Sequence, residues 1–297
     1  MSRPIHWRAE ALGDERHVAT SVGTLAYRER GAGPPLVFVH GFLANANTWR
    51  KVVPRLAGHF RCLAVDWPLG SHYLPVQPSA DLSPPGIAAL ISDFCERLEL
   101  DDVILLGNDS GGAYSQMVAA TGNERIAALV LNSCETPGSR WPPKGFGHLK
   151  RSGRIPGGLT FIVQGLRLPR SWRSPIAYGL LAKRPIEDRV MWSFLDPFFS
   201  SATIRRDARR VISSVGPAYH ERAAEALIAE WERPVHFVWA ADDPVFPIER
   251  ARTYAAALAE TTFAAVADSY TYVAEDNPVE MADTLVSAFA PQAAGAL

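Results

Sequence analysis

The sequence predicts an α/β protein with a mostly parallel central sheet, helices on both faces and an inserted helical cap. Short apolar runs alternate with helical patterns over most of the 297 residues, which is typical of parallel strands connected by helices. Residues 138–215 interrupt this alternation with clustered Pro and Gly and with short, aromatic-rich helical patterns. We therefore predict a core of residues 1–137 and 216–297, and a cap of residues 138–215.

The charge distribution supports the same division. Residues 138–215 carry 15 Lys and Arg against 4 Asp and Glu, whereas the rest of the chain carries 15 against 27. We expect the basic side chains to be solvated, or paired with acidic groups of the body or of a partner subunit, ahead of binding an anionic ligand. The formal net charge of the whole chain is −1, so no nucleic-acid partner is expected. The oligomeric state is left open, with a homodimer as one candidate.

Composition and cysteine content bear on the compartment. Hydrophobic residues make up 47% of the chain, enough for a full α/β core in one domain. Three cysteines without a disulfide pattern fit a reducing compartment, and the polar residues 1–17 contain no signal-peptide pattern. No segment approaches the roughly 20 apolar residues of a membrane span. These observations predict a cytoplasmic protein with no membrane partner.

Individual elements follow from local patterns. Residues 18–29 alternate loosely and predict one or two antiparallel strands, and the proline-rich residues 67–85 predict a loop. A helix is expected from about Thr48, which is a plausible N-cap, to Leu56. The other predicted strands are 36–39, 62–65, 103–106, 126–131, 235–240 and 263–266, and the other predicted helices are 85–98, 221–232, 248–259 and 278–289.

A tight turn follows the apolar residues Val103–Leu106 and leads into a predicted helix from Gly112 to about Thr121. Asp109 stands at the apex of this turn, with glycines two positions before and two positions after it. Small neighbours at this spacing are typical of a nucleophile elbow, in which a strained backbone projects one side chain above a sheet. A second register would place Ser110 at the apex, between Asn108 and Gly112, of which only one is small. We favour Asp109; a plainer interpretation is that it only caps the helix.

Four short segments occur in a characteristic order and spacing along the chain. They are His40-Gly41-Phe42, Asp66 followed by Gly70 and Ser71, the elbow 107–111 and the segment 239–247 from Trp239 to Pro247. Taken together, they resemble the α/β-hydrolase family over nearly the full chain. An aspartate at the elbow resembles the branch that contains haloalkane dehalogenases and epoxide hydrolases.

The resemblance implies a chemistry for this site without a metal or a cofactor. In that branch a carboxylate attacks an electrophilic carbon and forms an alkyl ester, and a histidine oriented by a second acid activates the water that hydrolyses it. Asp109 would be the nucleophile and Asp243 the second acid, with Asp242 as the near alternative. Thr271 occupies the histidine position, and no histidine follows His236.

Other positions also depart from the family pattern. Dehalogenases of this type place Trp after the nucleophile and Asn after His-Gly to hold halide, and here Ser110 and Phe42 stand there. Epoxide hydrolases favour Pro two places after His-Gly, where this chain has Leu43. His72 is the better candidate for a relocated base, because its loop leaves a strand end where the sheet's carboxyl edge faces ligands. His40 borders the oxyanion loop and is expected to be structural.

Aromatic residues of the cap, among them Tyr178 and Trp192, either pack the cap onto the body or line an apolar pocket over Asp109. We predict an enzyme acting on a small or medium hydrophobic substrate. Three functions compete: hydrolysis of an epoxide, ester or halide-type bond with Asp109 as nucleophile; a cofactor-free lyase or isomerase with Asp109 as general acid and base; and ligand binding without catalysis. Hydrolysis is slightly favoured, and Phe42, Ser110 and His40 are expected around the oxyanion position.

Overall fold

A computed structural model describes residues 6–289. It contains an eight-stranded sheet in the order β1-β2-β4-β3-β5-β6-β7-β8. β1 pairs antiparallel with β2, and β2 pairs antiparallel with β4, whereas all other pairs are parallel. This is the predicted fold class. The strands are β1 Asp14–Thr20, β2 Gly23–Arg30, β3 Pro35–Val39, β4 Arg61–Val65, β5 Val103–Asp109, β6 Ile126–Cys134, β7 Val235–Ala240 and β8 Thr261–Val266.

Helices cover both faces of the sheet and form the segment between β6 and β7. Four short 3-10 helices accompany them, at Glu10–Leu12, Ala46–Trp49, Gly165–Arg167 and Pro169–Ser171. The α-helices are α1 Val53–Leu56, α2 Pro84–Arg97, α3 Ser110–Ala119, α4 Gly147–Gly153, α5 Gly158–Gln164, α6 Asp188–Ser200, α7 Ala202–Ser214, α8 Pro217–Glu230, α9 Ile248–Ala255, α10 Val273–Asp276 and α11 Pro278–Phe289.

The central strands are apolar along their whole length because both faces of the sheet are covered. Alternate residues pack into opposite layers. Val37 and Leu105 belong to the layer formed with α2, α3, α8, α9 and the cap. Leu36 and Leu106 belong to the layer formed with α1 and α11. The carboxyl ends of the parallel strands therefore meet at one edge of the sheet, beneath the cap.

The first helix differs from the expectation that Thr48 caps it. The Asn45 side chain accepts the backbone N–H of Asn47 at 3.0 Å, so the cap lies three residues earlier and opens a 3-10 helix at Ala46–Trp49. The short helix α1 follows only at Val53, with Pro54 in its first turn. An earlier polar residue made the better cap because its oxygen reaches a free backbone donor.

Residues 138–215 hold α4–α7 and none of the eight strands; their boundaries as a separate cap stay a prediction. Hydrogen bonds join this segment to the loops at the sheet edge. The Tyr178 hydroxyl donates to the Leu43 carbonyl at 2.7 Å. The Ser71 hydroxyl donates to the Phe194 carbonyl at 2.5 Å. The cap therefore sits directly over the strand ends.

Charged groups join the cap to the loops after β7 and β8. Lys183 pairs with Asp242 at 2.6 Å and with Asp268 at 2.8 Å, and Arg184 pairs with Asp268. The backbone N–H groups of Lys183 and Arg184 also donate to the Asp276 carboxylate at 2.8 and 2.9 Å. At this edge, cap cations pair with acidic groups of the body, one of the two arrangements expected from the charge distribution.

Cys62, Cys95 and Cys134 are buried and free. Among residues 6–289, no helix is long and apolar enough to cross a membrane. The cytoplasmic location and the homodimer stay predictions.

Candidate active site

Asp109 lies at the apex of the turn between β5 and α3. Its backbone has φ 52° and ψ −138°, in the left-handed region that a non-glycine residue rarely adopts. β5 ends at Asp109, and α3 begins at Ser110. Of the two registers considered, the structure places Asp109 at the strained apex and Ser110 in the first turn of the helix.

The glycines around the turn are required by close backbone packing. A Cβ atom on Gly107 would lie 2.5 Å from the Gly111 carbonyl oxygen, and one on Gly111 would lie 2.0 Å from the Val39 carbonyl oxygen. Both distances are far below van der Waals contact. The turn therefore has room for a side chain at its apex and none at positions 107 and 111.

Gly41 brings a second loop against the Asp109 carboxylate. A Cβ atom on Gly41 would lie 2.4 Å from Asp109 Oδ2. Any larger residue would displace the carboxylate or the loop. Gly41 thus serves the site through its lack of a side chain.

The Asp109 carboxylate is buried, with 9% of the residue exposed. Oδ1 accepts the Ser110 backbone N–H at 2.7 Å and the Ser110 hydroxyl at 3.4 Å. Burial raises the pKa of Asp109 to about 7, against the opposing effect of the Ser110 hydrogen bonds and with a further increase from the charge of Asp243. The group therefore changes charge near neutral pH.

An apolar cavity lies between Asp109 and the cap. It has a volume of about 640 Å³ when the part that opens to solvent is included. Its lining residues are Phe42, Leu43, Asp109, Ser110, Trp141, Pro142, Pro143, Phe146, Leu149, Leu166, Ile176, Ala177, Tyr178, Leu181, Ile212 and Val245.

Phe42, Ser110 and Tyr178 thus line the cavity with Asp109. The predicted pocket residue Trp192 is not among the lining residues; its ring packs edge-on against Trp172, with centroids 5.2 Å apart. This correction follows from its place on the helix α6, where the side chain joins the packing inside the cap.

His40 has a structural position, as expected. Its Nε2 accepts the Trp67 backbone N–H at 3.1 Å, and Nδ1 lies 2.9 Å from the Gly41 carbonyl oxygen. The ring is therefore neutral with its proton on Nδ1. Burial lowers the pKa of His40 to about 4. The imidazole ties the Gly41 loop to the strand β4 end.

His72 does not lie where the relocated base was expected. It is buried, and it is not among the residues that line the cavity. Its Nε2 lies 3.4 Å from Asp207 Oδ2 on α7, and its Nδ1 lies 3.4 Å from the Gly70 backbone nitrogen. These contacts join the body to the cap, because Asp207 lies on the cap helix α7. Asp207 is fully buried beside the imidazole ring. Nothing in this position brings the imidazole to a water beside Asp109.

Asp243 is the buried member of the acidic pair after β7. Its Oδ1 accepts the backbone N–H groups of Val245 at 2.8 Å and Phe246 at 3.0 Å. Burial raises the pKa of Asp243 to about 6, against the effect of these hydrogen bonds. Asp242, the near alternative, is half-exposed and pairs with Lys183. Asp243 is therefore the acid that belongs to the interior.

Thr271 fills the position where the family resemblance calls for histidine. Its hydroxyl donates to Asp243 Oδ1 at 3.0 Å, and its carbonyl oxygen accepts the Asn108 side-chain amide at 2.8 Å. The residue is fully buried. The hydroxyl therefore binds one oxygen of this acid, while Asp243 Oδ2 is buried without a hydrogen-bond partner among the described residues. A hydroxyl cannot serve as an unperturbed base near neutral pH.

Glu135 is a further acidic group that sequence reasoning missed. It directly follows β6, and both carboxyl oxygens are buried without a hydrogen-bond partner in the described chain. Burial and the charge of Asp109 raise the pKa of Glu135 well above its usual value, which favours the neutral form of this carboxyl. The signal was a carboxylate directly after a parallel strand, but the predicted strand ended at residue 131, three residues too early.

The arrangement supports carboxylate chemistry. Within residues 6–289, no cluster of His, Cys, Asp and Glu could hold a metal ion. A buried carboxylate at a strained turn, a second buried acid and an apolar cavity meet at the carboxyl edge of the sheet, where ligands bind in open α/β folds.

Comparisons with known proteins agree with this architecture. The sequence model described as α/β hydrolase fold matches residues 34–154. A haloalkane dehalogenase of Mesorhizobium japonicum is 30% identical over 119 residues, 40% of this chain and 38% of the relative. A 2-hydroxy-6-oxo-6-(2'-aminophenyl)hexa-2,4-dienoic acid hydrolase of Metapseudomonas resinovorans is 32% identical over 128 residues, 42% of this chain and 43% of the relative. The matches thus span about two fifths of these curated relatives.

Solved structures extend the likeness to nearly the whole fold. The haloalkane dehalogenase DbeA from Bradyrhizobium elkani covers 92% of this chain and 96% of its own at 20% identity, with a TM-score of 0.77. The haloalkane dehalogenase DatA from Agrobacterium tumefaciens covers 94% and 98% at 20% identity, also with a TM-score of 0.77. The chain therefore has the α/β-hydrolase fold, with Asp109 at the turn after β5. Part of its sequence is similar to haloalkane dehalogenases.

Proposed function

We propose that this protein is a hydrolytic enzyme that acts on a small or medium hydrophobic molecule through Asp109. The observation that carries the proposal is the position of this carboxylate at a strained strand–helix apex, where it lines an apolar cavity. Backbone strain of this kind persists only where the surrounding structure enforces it, and it is common at reactive sites.

The first step is attack on an electrophilic carbon. Oδ1 is held by Ser110, whereas Oδ2 accepts no hydrogen bond from the described residues and is the oxygen proposed to attack. A carbon–oxygen ester bond forms while the bond to the leaving group breaks, and the leaving group takes the electron pair. Opening of an epoxide or displacement of a halide both fit this step. Ser110 and Phe42 stand at the two halide-holding positions of the family, and Leu43 stands where epoxide hydrolases favour proline, so these positions favour neither substrate class over the other. An ester substrate would fit this step only by displacement at its alkyl carbon, because attack at its acyl carbon would give an anhydride.

Hydrolysis of the ester is the step that this site performs poorly. No histidine lines the cavity among the described residues, and Asp243 accepts the hydroxyl of Thr271. Water at the ester would therefore lack an imidazole base, which ordinarily contributes about 10²–10⁴ to the rate. We expect the ester to form faster than it is hydrolysed. The hydrolytic relatives support the broad class, and the individual steps are our proposal.

One observation favours a second function, a cofactor-free lyase or isomerase. The raised pKa of Asp109, about 7, suits a general acid and base at neutral pH. In that reaction the carboxylate would take a proton from the substrate and return it at another atom, and no ester would form. Binding without turnover is the third function.

Intact-mass spectrometry distinguishes these functions. The protein is incubated at pH 8.5 with separate panels of epoxides, haloalkanes and esters, and Asp109→Asn is the matched control. An added mass that maps to the peptide containing Asp109 supports the hydrolytic proposal. Substrate conversion without an adduct, with exchange of substrate hydrogen for solvent deuterium, would replace it by proton-transfer chemistry. Ligand binding with neither result would leave a binding protein.

A further inference from the structure

Exposed apolar side chains are concentrated on one part of the cap. Within residues 6–289, seven large apolar side chains are exposed, and five of them lie between residues 155 and 176. Phe161 is 80% exposed, although it is the largest of the five. We call these five the cap patch: Ile155, Phe161, Ile162, Leu168 and Ile176.

The charge around the cap patch has a single sign. Residues 138–186 contain ten Lys and Arg and no Asp or Glu. The pKa of Lys150 is lowered, first by partial burial and then by the positive charge of Arg154. Five arginines on this segment are exposed and form no ion pair with a carboxylate of the described chain: Arg151, Arg154, Arg167, Arg170 and Arg173.

The cap patch is continuous with the cavity above Asp109. Ile176 belongs to the patch and also lines that cavity. Leu149, Leu166 and Ala177 line both the cavity and a neighbouring groove that reaches Ile162. An apolar surface therefore leads from the exposed cap to the reactive carboxylate.

We propose that the cap patch docks on an anionic lipid surface. Phe161 and its apolar neighbours enter the headgroup region, while the surrounding arginines contact lipid phosphates. Peripheral binding of this kind combines buried apolar area with the attraction of Lys and Arg to an anionic surface. It needs no membrane-spanning segment, so it is compatible with the lack of one among residues 6–289. If the proposed function holds, a hydrophobic substrate could enter the cavity directly from the lipid.

A second copy of the chain fits the cap patch less well. Two cap patches placed face to face would bring arginines against arginines. The acidic body could neutralise those arginines, but its exposed large apolar side chains in residues 6–289 are only Ile228 and Val279. Such a body surface would leave Phe161 without an apolar partner. An anionic lipid surface supplies phosphates for the arginines and an apolar interior for Phe161.

Flotation of the full-length protein with vesicles tests the proposal. Vesicles of pure phosphatidylcholine are compared with vesicles of phosphatidylcholine and phosphatidylglycerol at 7:3. We expect binding to the anionic vesicles, at least tenfold weaker binding to the neutral ones, and loss of binding at high salt. Phe161→Ser and Arg154→Gln should each weaken binding severalfold. The matched body variants Ile228→Ser and Arg222→Gln should bind as the unchanged protein does.

Three results would overturn the proposal. These are absence of binding to the anionic vesicles, equal effects of the cap and body variants, and a dimer in sedimentation velocity that Phe161→Ser dissociates. The last result would assign the cap patch to a second copy of the chain. Vesicle binding is measured without turnover, so its failure is distinguishable from failure of the proposed function.

Discussion

The turn at Asp109 and the loop at Thr271 border the same buried acids, yet they are held in place by different means. At the turn, backbone atoms approach so closely that no Cβ fits on Gly107 or Gly111. At the loop, the Thr271 hydroxyl reaches Asp243 through one side-chain hydrogen bond. Many simultaneous contacts fix the turn, whereas at the loop the hydroxyl reaches only Oδ1 and leaves Asp243 Oδ2 buried without a partner among the described residues. The fold therefore tolerates a hydroxyl where the family has an imidazole, but one oxygen of the acid is left unpaired.

Removing the carboxylate at the turn should have the largest effect. Asp109→Asn keeps the shape of the side chain but removes the nucleophile, so adduct formation and turnover should fall by about 10⁴ or more. Mass spectrometry and substrate conversion measure both. Ser110→Ala is the control, and it should retain most activity because the backbone N–H of residue 110 still binds Oδ1. The opposite ranking of the two variants would move the reactive group to Ser110.

Installing the missing base at the loop should have the next largest effect. Thr271→His places an imidazole beside Asp243, which could orient it, and should speed breakdown of the ester by about 10²–10⁴. Pulse-chase mass spectrometry measures the lifetime of the adduct. Thr271→Val is the control, since it removes the hydroxyl and adds no base. If the lifetime is the same in all three proteins, our alignment of this loop with the family is wrong.

The rigidity attributed to the turn can be tested at Gly41. Gly41→Ala places a Cβ 2.4 Å from Asp109 Oδ2, and a displacement of this size should slow adduct formation by about 10². Gly58→Ala is the matched control, because a Cβ there has no neighbour within 4 Å. Kinetics comparable to those of the control would show that the carboxylate moves aside freely.

The pH dependence tests whether the two acids are coupled. The pKa of Asp109 is raised to about 7, so the attacking carboxylate is lost as the pH falls below that value. The rate of adduct formation should rise about tenfold per pH unit below pH 7 and level off above it. Asp243→Asn removes a negative charge near Asp109 and should move the midpoint to lower pH. A rate of adduct formation that falls as the pH rises through 7 would indicate that the protonated acid is the active form.

The smallest effect is expected at Glu135. Because burial raises the pKa of this carboxyl and favours its neutral form, we expect Glu135→Gln to replace one neutral group with another of similar shape. Adduct formation should keep its pH midpoint, and the melting temperature should change little. A midpoint that moves clearly to lower pH would mean that Glu135 carries charge beside Asp109 in the unchanged protein.

Sequence patterns predicted the turn better than the surroundings of the second acid. The glycine spacing around Asp109 is a local signal, because close backbone packing acts within a few residues. The spacing to Pro278 also predicted that Thr271 occupies the position of the family's histidine. The environment of His72 was not, since its partner Asp207 lies 135 positions away along the chain. Long-range pairings leave no local pattern, and Glu135 was missed because the end of β6 could not be located.

The ion pairs between the cap and the loops after β7 and β8 have a consequence for exchange of ligands with solvent. Lys183 and Arg184 pair with Asp242 and Asp268 at partly exposed positions, where dissolved ions weaken attraction. Tyr178, a few residues earlier, holds the Leu43 carbonyl from a buried position that dissolved ions reach far less. The ion pairs that hold the cap therefore weaken as the salt concentration rises, whereas the buried hydrogen bond of Tyr178 is largely insensitive to salt. Ionic strength should govern how long a ligand resides under the cap, while leaving the carboxylate beneath it unchanged.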